Sequence, residues 1–577
     1  MSLSNSLLIG RSALTASQLA IQVTGDNLAN AATPGYHRRV ATLTPAGGSV
    51  SATNIYQGRG VEVESVLRQL DPALQSRIRN SLAEHNAARI EQDVLAQIEH
   101  IVSDLNGRGL SSELDAFFNA FSELANRPGA SETRSLIIEQ GATLAQFTRQ
   151  LRNDLVSQRQ QIDAQITSRV KRADELLREI ARLNREVVTS EQGRTEDAGL
   201  RDQRDALVNE LSELIGVSVI EQASGAIDVH VGSTPVVLGD IARGLETRQR
   251  TIGDEVVTEV YIRQNEERLV PRSGQVGALL KQRDGIVNGT IDSLDRLASN
   301  LIFEVNKLHS SGRSFPGLTE TTGAMRVAAA DMNRSFNDPD NNSFANLPYQ
   351  PSNGSFVVYV TDKATGITEK HEIFVSLTGI DNTGQPGFAD DTTLDSLIAD
   401  LDGLGNLSAS ILPSGEVRLV SDAGFEFGFA DDTTGTLAAL GINTFFTGTS
   451  ASDIGVRKQL QESPHLLVAG LEPGTNEAAL AIANLRESSI DALGGATLRE
   501  SWAQTIEKVS VQSRGATTRA QAAEQVRHSL EAQRAAVSGV SIDEESINLL
   551  NYQRQYQAAA RFISTVDELT QLLIALV

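Results

Sequence analysis

At 577 residues the chain is longer than one hydrophobic core organises, about 250–300 residues, so several domains are expected. Its formal net charge of −23 excludes a general nucleic-acid binder, because phosphate backbones demand basic patches. The absence of cysteine excludes disulfides, thiolate metal sites and a cysteine nucleophile; it fits either ordinary cysteine scarcity or a chain that stays unfolded until it reaches an oxidising exterior.

From the start of the chain, Leu7, Leu14, Ile21 and Leu28 recur every seven residues, with Leu3, Gly10, Ser17 and Thr24 as a second, mostly small row beside them. This spacing predicts a helix with a narrow seam for close helix packing. Thr33, Pro34, Gly35 and Tyr36 end it, with Pro and Gly as the central pair of a turn. Residues 1–30 lack the basic and apolar regions and the cleavage site of a secretory signal peptide. No apolar run approaches the ~18 residues of a membrane span. The expectation is a soluble protein, not inserted in a membrane, whose export, if any, bypasses the general secretory route.

Residues 40–70 read as extended. Asp71-Pro72 then supplies a cap and a first-turn proline, opening a helix to about Leu105 that Asn106-Gly107-Arg108-Gly109 breaks. A second helix covers 111–126. From Ser131 to about Thr189 the positions Leu151, Leu155, Ile162, Ile166, Ala173 and Leu177 predict one very long helix, roughly 90 Å at 1.5 Å per residue. Another helix covers 199–216. From Val217 the period changes to two, the mark of strands; helix returns at 274–311. Residues 314–455 hold 19 acidic and 5 basic residues and strand-like pieces, reading as an acidic, mostly β region. Helix resumes near Thr475. At the end, Leu549, Tyr552, Tyr556, Ala559, Ile563, Val566, Leu569, Leu573 and Leu576 step by three and four. A stripe of that length needs a partner, and the N-terminal seam is the candidate.

The expected class is therefore α+β multidomain. The N- and C-terminal helices pair into an elongated coiled-coil or bundle body, and β-rich outer domains are inserted in it. The expected segments are 1–40 and 541–577 (coiled-coil ends), 41–216, 273–313 and 456–540 (helical body), 217–272 (small β-rich insert) and 314–455 (acidic β-rich domain).

Chemistry-bearing motifs are sparse. The eight histidines show no HxH or HExxH spacing and read as solvated or packing residues. No GxSxG elbow or P-loop is present. The heptapeptide GFADDTT occurs at 387–393 and 428–434 and reads as helix-capping Asp and Thr, not a calcium loop. The Arg-Asp pairs in LRDQRD and LLKQRD read as surface or interhelical ion pairs. Catalytic, cofactor and metal sites are all expected to be absent.

GDNLANAATPGYHRR near the start resembles the N-terminal signature of the bacterial flagellar rod, hook and hook-associated axial proteins, and SGVSIDEESINLLNYQRQYQAAARFISTVDEL their C-terminal signature. LRDQRDALVNELSELIGVSV and the stretch from Gly274 to His309 resemble interior motifs of the members that join hook to filament. Thr33-Pro34-Gly35-Tyr36-His37 stands where the hook protein usually has a TTGFK-like string, and the chain stays helical through 71–216. The resemblance implies a structural, non-enzymatic component of the flagellum. It further implies export unfolded through the flagellar type III apparatus, a chaperone on the C-terminal helix and self-assembly into a helical zone. The hook protein and a second junction protein would be neighbours. The two end segments would form the inner core, with Leu7, Leu14, Ile21, Leu28, Tyr552, Tyr556, Ile563, Val566, Leu569 and Leu573 as assembly residues. Alternative readings are another axial protein, or a surface adhesin carried by the acidic insert.

Overall fold

The computed structural model describes residues 3–575 apart from 48, 51–55, 105–108, 193–194, 253–254, 346, 348 and 382. The expected break at 106–108 and the last member of the stripe, Leu576, lie outside these residues. In chain order the helices are α1 Leu3–Ala29, α2 Pro72–Val102, α3 Leu110–Asn126, α4 Ser131–Glu191, α5 Ala198–Leu214, α6 Gly274–Gln282 and α7 Asn288–Ser310. They continue as α8 Asn342–Ala345, α9 Leu394–Asp402, α10 Thr436–Leu440, α11 Lys458–Glu462, α12 Glu477–Asn484, α13 Leu498–Ser538 and α14 Ile542–Ala575.

The ends of these helices follow local chemistry. The Asp71 carboxylate accepts from the Ala73 and Leu74 amides at 2.9 and 3.1 Å, with Pro72 at the first helical position, where no amide is needed. Asp197 caps α5 by accepting from the Leu200 amide at 3.1 Å. The long apolar pattern after Ser131 forms as a single helix of 61 residues. Thr393, in the first GFADDTT, makes a capping box with Ser396 at the start of α9. In the second copy Asp432 accepts from the amides of Thr434, Gly435 and Leu437 as α10 begins.

The chain divides into two units, one of Met1–Val94, Gln161–Arg283 and Arg514–Val577, the other of Leu95–Gln160 and Asp284–Ser513. In the first unit α1 and α14 pack antiparallel, Gly10 lying against Ile563 and Asn27 against Glu545. Strands Arg39–Pro45 and Val61–Arg68 form an antiparallel hairpin with Arg39 opposite Arg68. Leu74 and Ile78 of α2 meet Leu530 of α13 in a small apolar cluster. A four-stranded antiparallel sheet spans Ser218–Ala242, and a three-stranded one spans Leu245–Leu269.

The second unit contains the acidic region. There Gly354–Asp362 sits between Thr368–Val375 and Phe425–Ala430, and Val417–Ser421 sits between Glu320–Thr322 and Leu407–Ile411. Apolar residues alternating along these strands meet those of α9 and α10 in one core that includes Phe336, Phe344, Phe356, Phe427 and Phe429. Alternation puts one face of each strand into that core and the other toward solvent, so a mostly polar, acidic sequence still builds a dry interior.

Candidate assembly site at the paired chain ends

The seam of α1 is built from its small residues. Gly10, Ala16, Ser17, Ala20, Val23, Thr24 and Asn27 are buried, whereas Leu7, Leu14, Ile21 and Leu28 are only half-buried. The reason is steric. A Cβ placed on Gly10 would stand 2.6 Å from Ile563 Cγ1, so the helices approach at a distance that admits no side chain there. The larger residues are left beside the contact. On α14, Val566 and Ala559 are buried, Tyr552 and Ile563 half-buried, and Tyr556, Leu569 and Leu573 exposed. Leu550, Phe562 and Leu572 are also exposed at 55%, 43% and 61%. Only part of each apolar row is covered within the chain.

At the other end of the pair stands a polar knot. The turn forms as the sequence predicts: the Tyr36 amide donates to the Thr33 carbonyl at 3.2 Å, and Gly35 takes φ of 81°, the left-handed value at the third position of a type II turn. The turn delivers Tyr36, His37, Arg38 and Arg39 to four neighbours. Asn27 donates to the Arg39 carbonyl at 2.9 Å and to Glu545 Oε2 at 3.1 Å, while accepting from the Tyr36 hydroxyl at 2.8 Å. Glu545, 2% exposed, also accepts from Arg38 Nε at 2.8 Å. A carboxylate that deep is tolerable only with such donors. Burial, with Asp26, Asp202 and Glu545 nearby, raises the Tyr36 hydroxyl pKa despite Arg39, so it remains a hydrogen-bond donor.

The next layer is α5. His37 Nδ1 lies 2.8 Å from Asp202, Arg68 of the hairpin bridges Asp202 and Asp205 at 3.0 and 2.8 Å, and Arg79 of α2 is 3.5 Å from Asp205. Burial works to lower the Arg68 pKa, but the two aspartates outweigh it and raise it. The LRDQRD motif is thus not a surface feature. Arg201, Arg204 and Asp205 are buried, and their partners lie on other elements as well as helices: Arg201 holds Glu191 and Glu221, and Arg204 holds the Gly225 carbonyl. Arg283 of LLKQRD, 2% exposed, pairs with Asp163 at 2.6 Å. Periodicity could not reveal Asn27, Glu545, Asp202 or Arg68, because single polar residues hundreds of positions apart carry no repeat. The signal available was the place of Asn27 and Glu545 inside the quoted end motifs and of Asp202 inside LRDQRD; nothing in the sequence singled out Arg68.

Three family models match this layout. Residues 7–37 match the flagella basal body rod protein, 95–324 the flagellar hook-associated protein FlgK helical domain, and 531–576 the flagellar basal body rod FlgEFG protein C-terminal family. Flagellar hook-associated protein 1 of Bacillus subtilis is 24% identical over 97% of this chain and 95% of its own length. The Salmonella typhimurium protein of the same name is 23% identical over 98% of each chain. The structure of the flagellar hook junction protein FlgK from Burkholderia pseudomallei shares the fold at a TM-score of 0.51 and 16% identity, covering 80% of this chain and all of that one. Rod-type signatures at both ends, meeting in one helix pair, define a structural protein of the flagellar axis. Within that class the chain is similar over nearly its whole length to hook-associated proteins of the FlgK type. It is a component of the flagellum, and among the described residues no helix is long and apolar enough to cross a membrane.

Proposed function

We propose that this chain is a structural subunit of the zone that joins flagellar hook to filament, acting by assembly and not by catalysis. The observation that carries the reading is the unfinished packing of the chain ends: α1 and α14 are held together, yet Leu569, Leu572 and Leu573 face outward. Ordering such helices costs ~1–2 kcal/mol of backbone entropy per residue, which repeated neighbours in a lattice help offset. Residues 1–40 and 541–577 then form the inner core, with Leu7, Leu14, Ile21, Leu28, Tyr552, Tyr556, Ile563, Val566, Leu569 and Leu573 as contact residues. The turn at Thr33, Pro34, Gly35 and Tyr36 sets where the chain leaves that core. Segments 41–216, 273–313 and 456–540 form the body, and 217–272 and 314–455 the outer inserts. The neighbours are further copies, the hook protein on one side and a second junction protein on the other. Before export through the flagellar type III apparatus, a chaperone covers the C-terminal helix. Electron microscopy and motility of a deletion strain test the reading: hooks without filaments and flagellin shed into the medium are expected, and normal filaments would refute it.

A further inference from the structure

A groove of about 420 Å³ opens between α1, α14 and the hairpin. Its walls are Ile9, Ala13, Leu43, Val61, Tyr552 and Phe562, and its floor is the small-residue face of α1. Some fifteen residues further along α14 the chain exposes a second apolar surface: Leu569, Leu572, Leu573 and Ile574 are 49%, 61%, 52% and 72% exposed. They fall where the described part of α1 begins, because the pair is antiparallel with Gly10 beside Ile563.

We propose that this groove receives the Leu569–Ile574 end of α14 from a second copy of the chain. The inference rests on the assembly reading above and names the contact through which copies join. Within one copy the fit is impossible, since a straight helix cannot fold its end onto its own middle. Ala559 in the groove and Leu573 on the exposed end are about 21 Å apart along the axis at 1.5 Å per residue. Charge supports a second copy as occupant. Arg554 and Arg561, both exposed, flank Ala558 on one side of the groove by helical spacing. Asp567 and Glu568, also exposed, immediately precede the incoming end. An end meeting a groove is a heterologous contact, which leaves a free groove on one copy and a free end on the other, and it propagates into an open helical array when the rotation between copies does not close a ring.

The natural lack of cysteine makes the test clean. Full-length Ala13→Cys and Leu573→Cys chains are co-expressed in the deletion strain, the flagella are isolated, and the chains are oxidised. Disulfide-linked pairs of the two variants are expected, and none when the first cysteine is moved to exposed Thr15. Incorporation into flagella that support filaments without linked pairs overturns this contact while leaving the junction reading intact. Absence of both variants from flagella, with normal filaments, overturns both. A second arm uses charge: Arg561→Glu should reduce incorporation, and Asp567→Arg with Glu568→Arg on the same chain should restore it. Failure to restore, with both proteins showing wild-type melting, also overturns the contact.

Discussion

In the acidic insert Phe336, Phe344, Phe356 and Phe427 are all 2% exposed or less, each enclosed by strands and helices of its own region. In α14 the corresponding large residues Leu569, Leu572 and Leu573 are about half exposed, and most covered positions of α1 are small. The insert encloses a core of large side chains by itself, leaving Ile367, Phe374 and Ile380 exposed on its surface. The paired ends have finished polar contacts but unfinished apolar ones. The first region closes its core with its own residues, whereas the second leaves large apolar residues of α14 open to a further partner.

The largest test of this contrast is Phe356→Ala. Its side chain is fully enclosed, so the insert should lose ~3–5 kcal/mol and its calorimetric transition should fall by many degrees. A shift of a degree or less would mean that the insert too is stabilised from outside.

The next test uses acid. His309 is buried, with Nδ1 2.8 Å from the Asn443 carbonyl and Nε2 accepting from the Val468 amide at 3.2 Å. Burial pushes its pKa down to about 4, helped by Arg457 and Arg134 and opposed by the Asn443 carbonyl. The unfolded histidine titrates near 6.5, so the unfolded chain gains a proton that the folded one refuses. Stability should be unaffected by this group above pH 7 and fall by about 3 kcal/mol between pH 6.5 and 4. Urea unfolding followed by Trp502, buried in the same unit, should show that loss, and His309→Gln should flatten it. An unchanged acid slope would remove His309 as its source.

At the paired ends the expected effects are smaller. Gly10→Ala forces a methyl against Ile563 and should cost ~1–3 kcal/mol in protection of 1–40 from proteolysis, with Ile563→Ala restoring most of it. Without that rescue, the close approach of α1 and α14 is not what fixes their spacing. Gly35→Ala places a Cβ in the left-handed region and should cost ~1–2 kcal/mol by the same assay. The smallest effect should come from Leu569→Ala with Leu573→Ala. The main melting transition should stay within about two degrees, since neither residue is buried, while incorporation into flagella fails. A large fall in melting temperature would make the end of α14 a private core and erase the contrast.

Much of this was legible in the residues. The heptad and the terminal stripe marked the end helices, Asp71-Pro72 and Thr33-Pro34-Gly35-Tyr36 gave a start and a turn, and the change of period at Val217 marked the strands. Which row of α1 would be buried was not legible, because hydrophobicity favours Leu7, Leu14, Ile21 and Leu28 while the spacing of two helices is decided by Gly10. The buried state of Arg201, Arg204 and Asp205 was equally hidden: a charged pair looks alike on a surface helix and in a knot, and only its distant partners distinguish them.

The bond from Asn27 to Glu545 joins positions 518 residues apart. Synthesis, and any threading that begins at the N-terminus, completes α1 long before the segment carrying Glu545 exists. Closing so long a loop in an unfolded chain costs ~5–6 kcal/mol in entropy, a cost that structure formed between the two ends reduces. A product truncated before α14 therefore keeps Gly10, Asn27 and Arg38 without their mates, however well its middle has folded. The knot closes only in a chain that carries both α1 and α14.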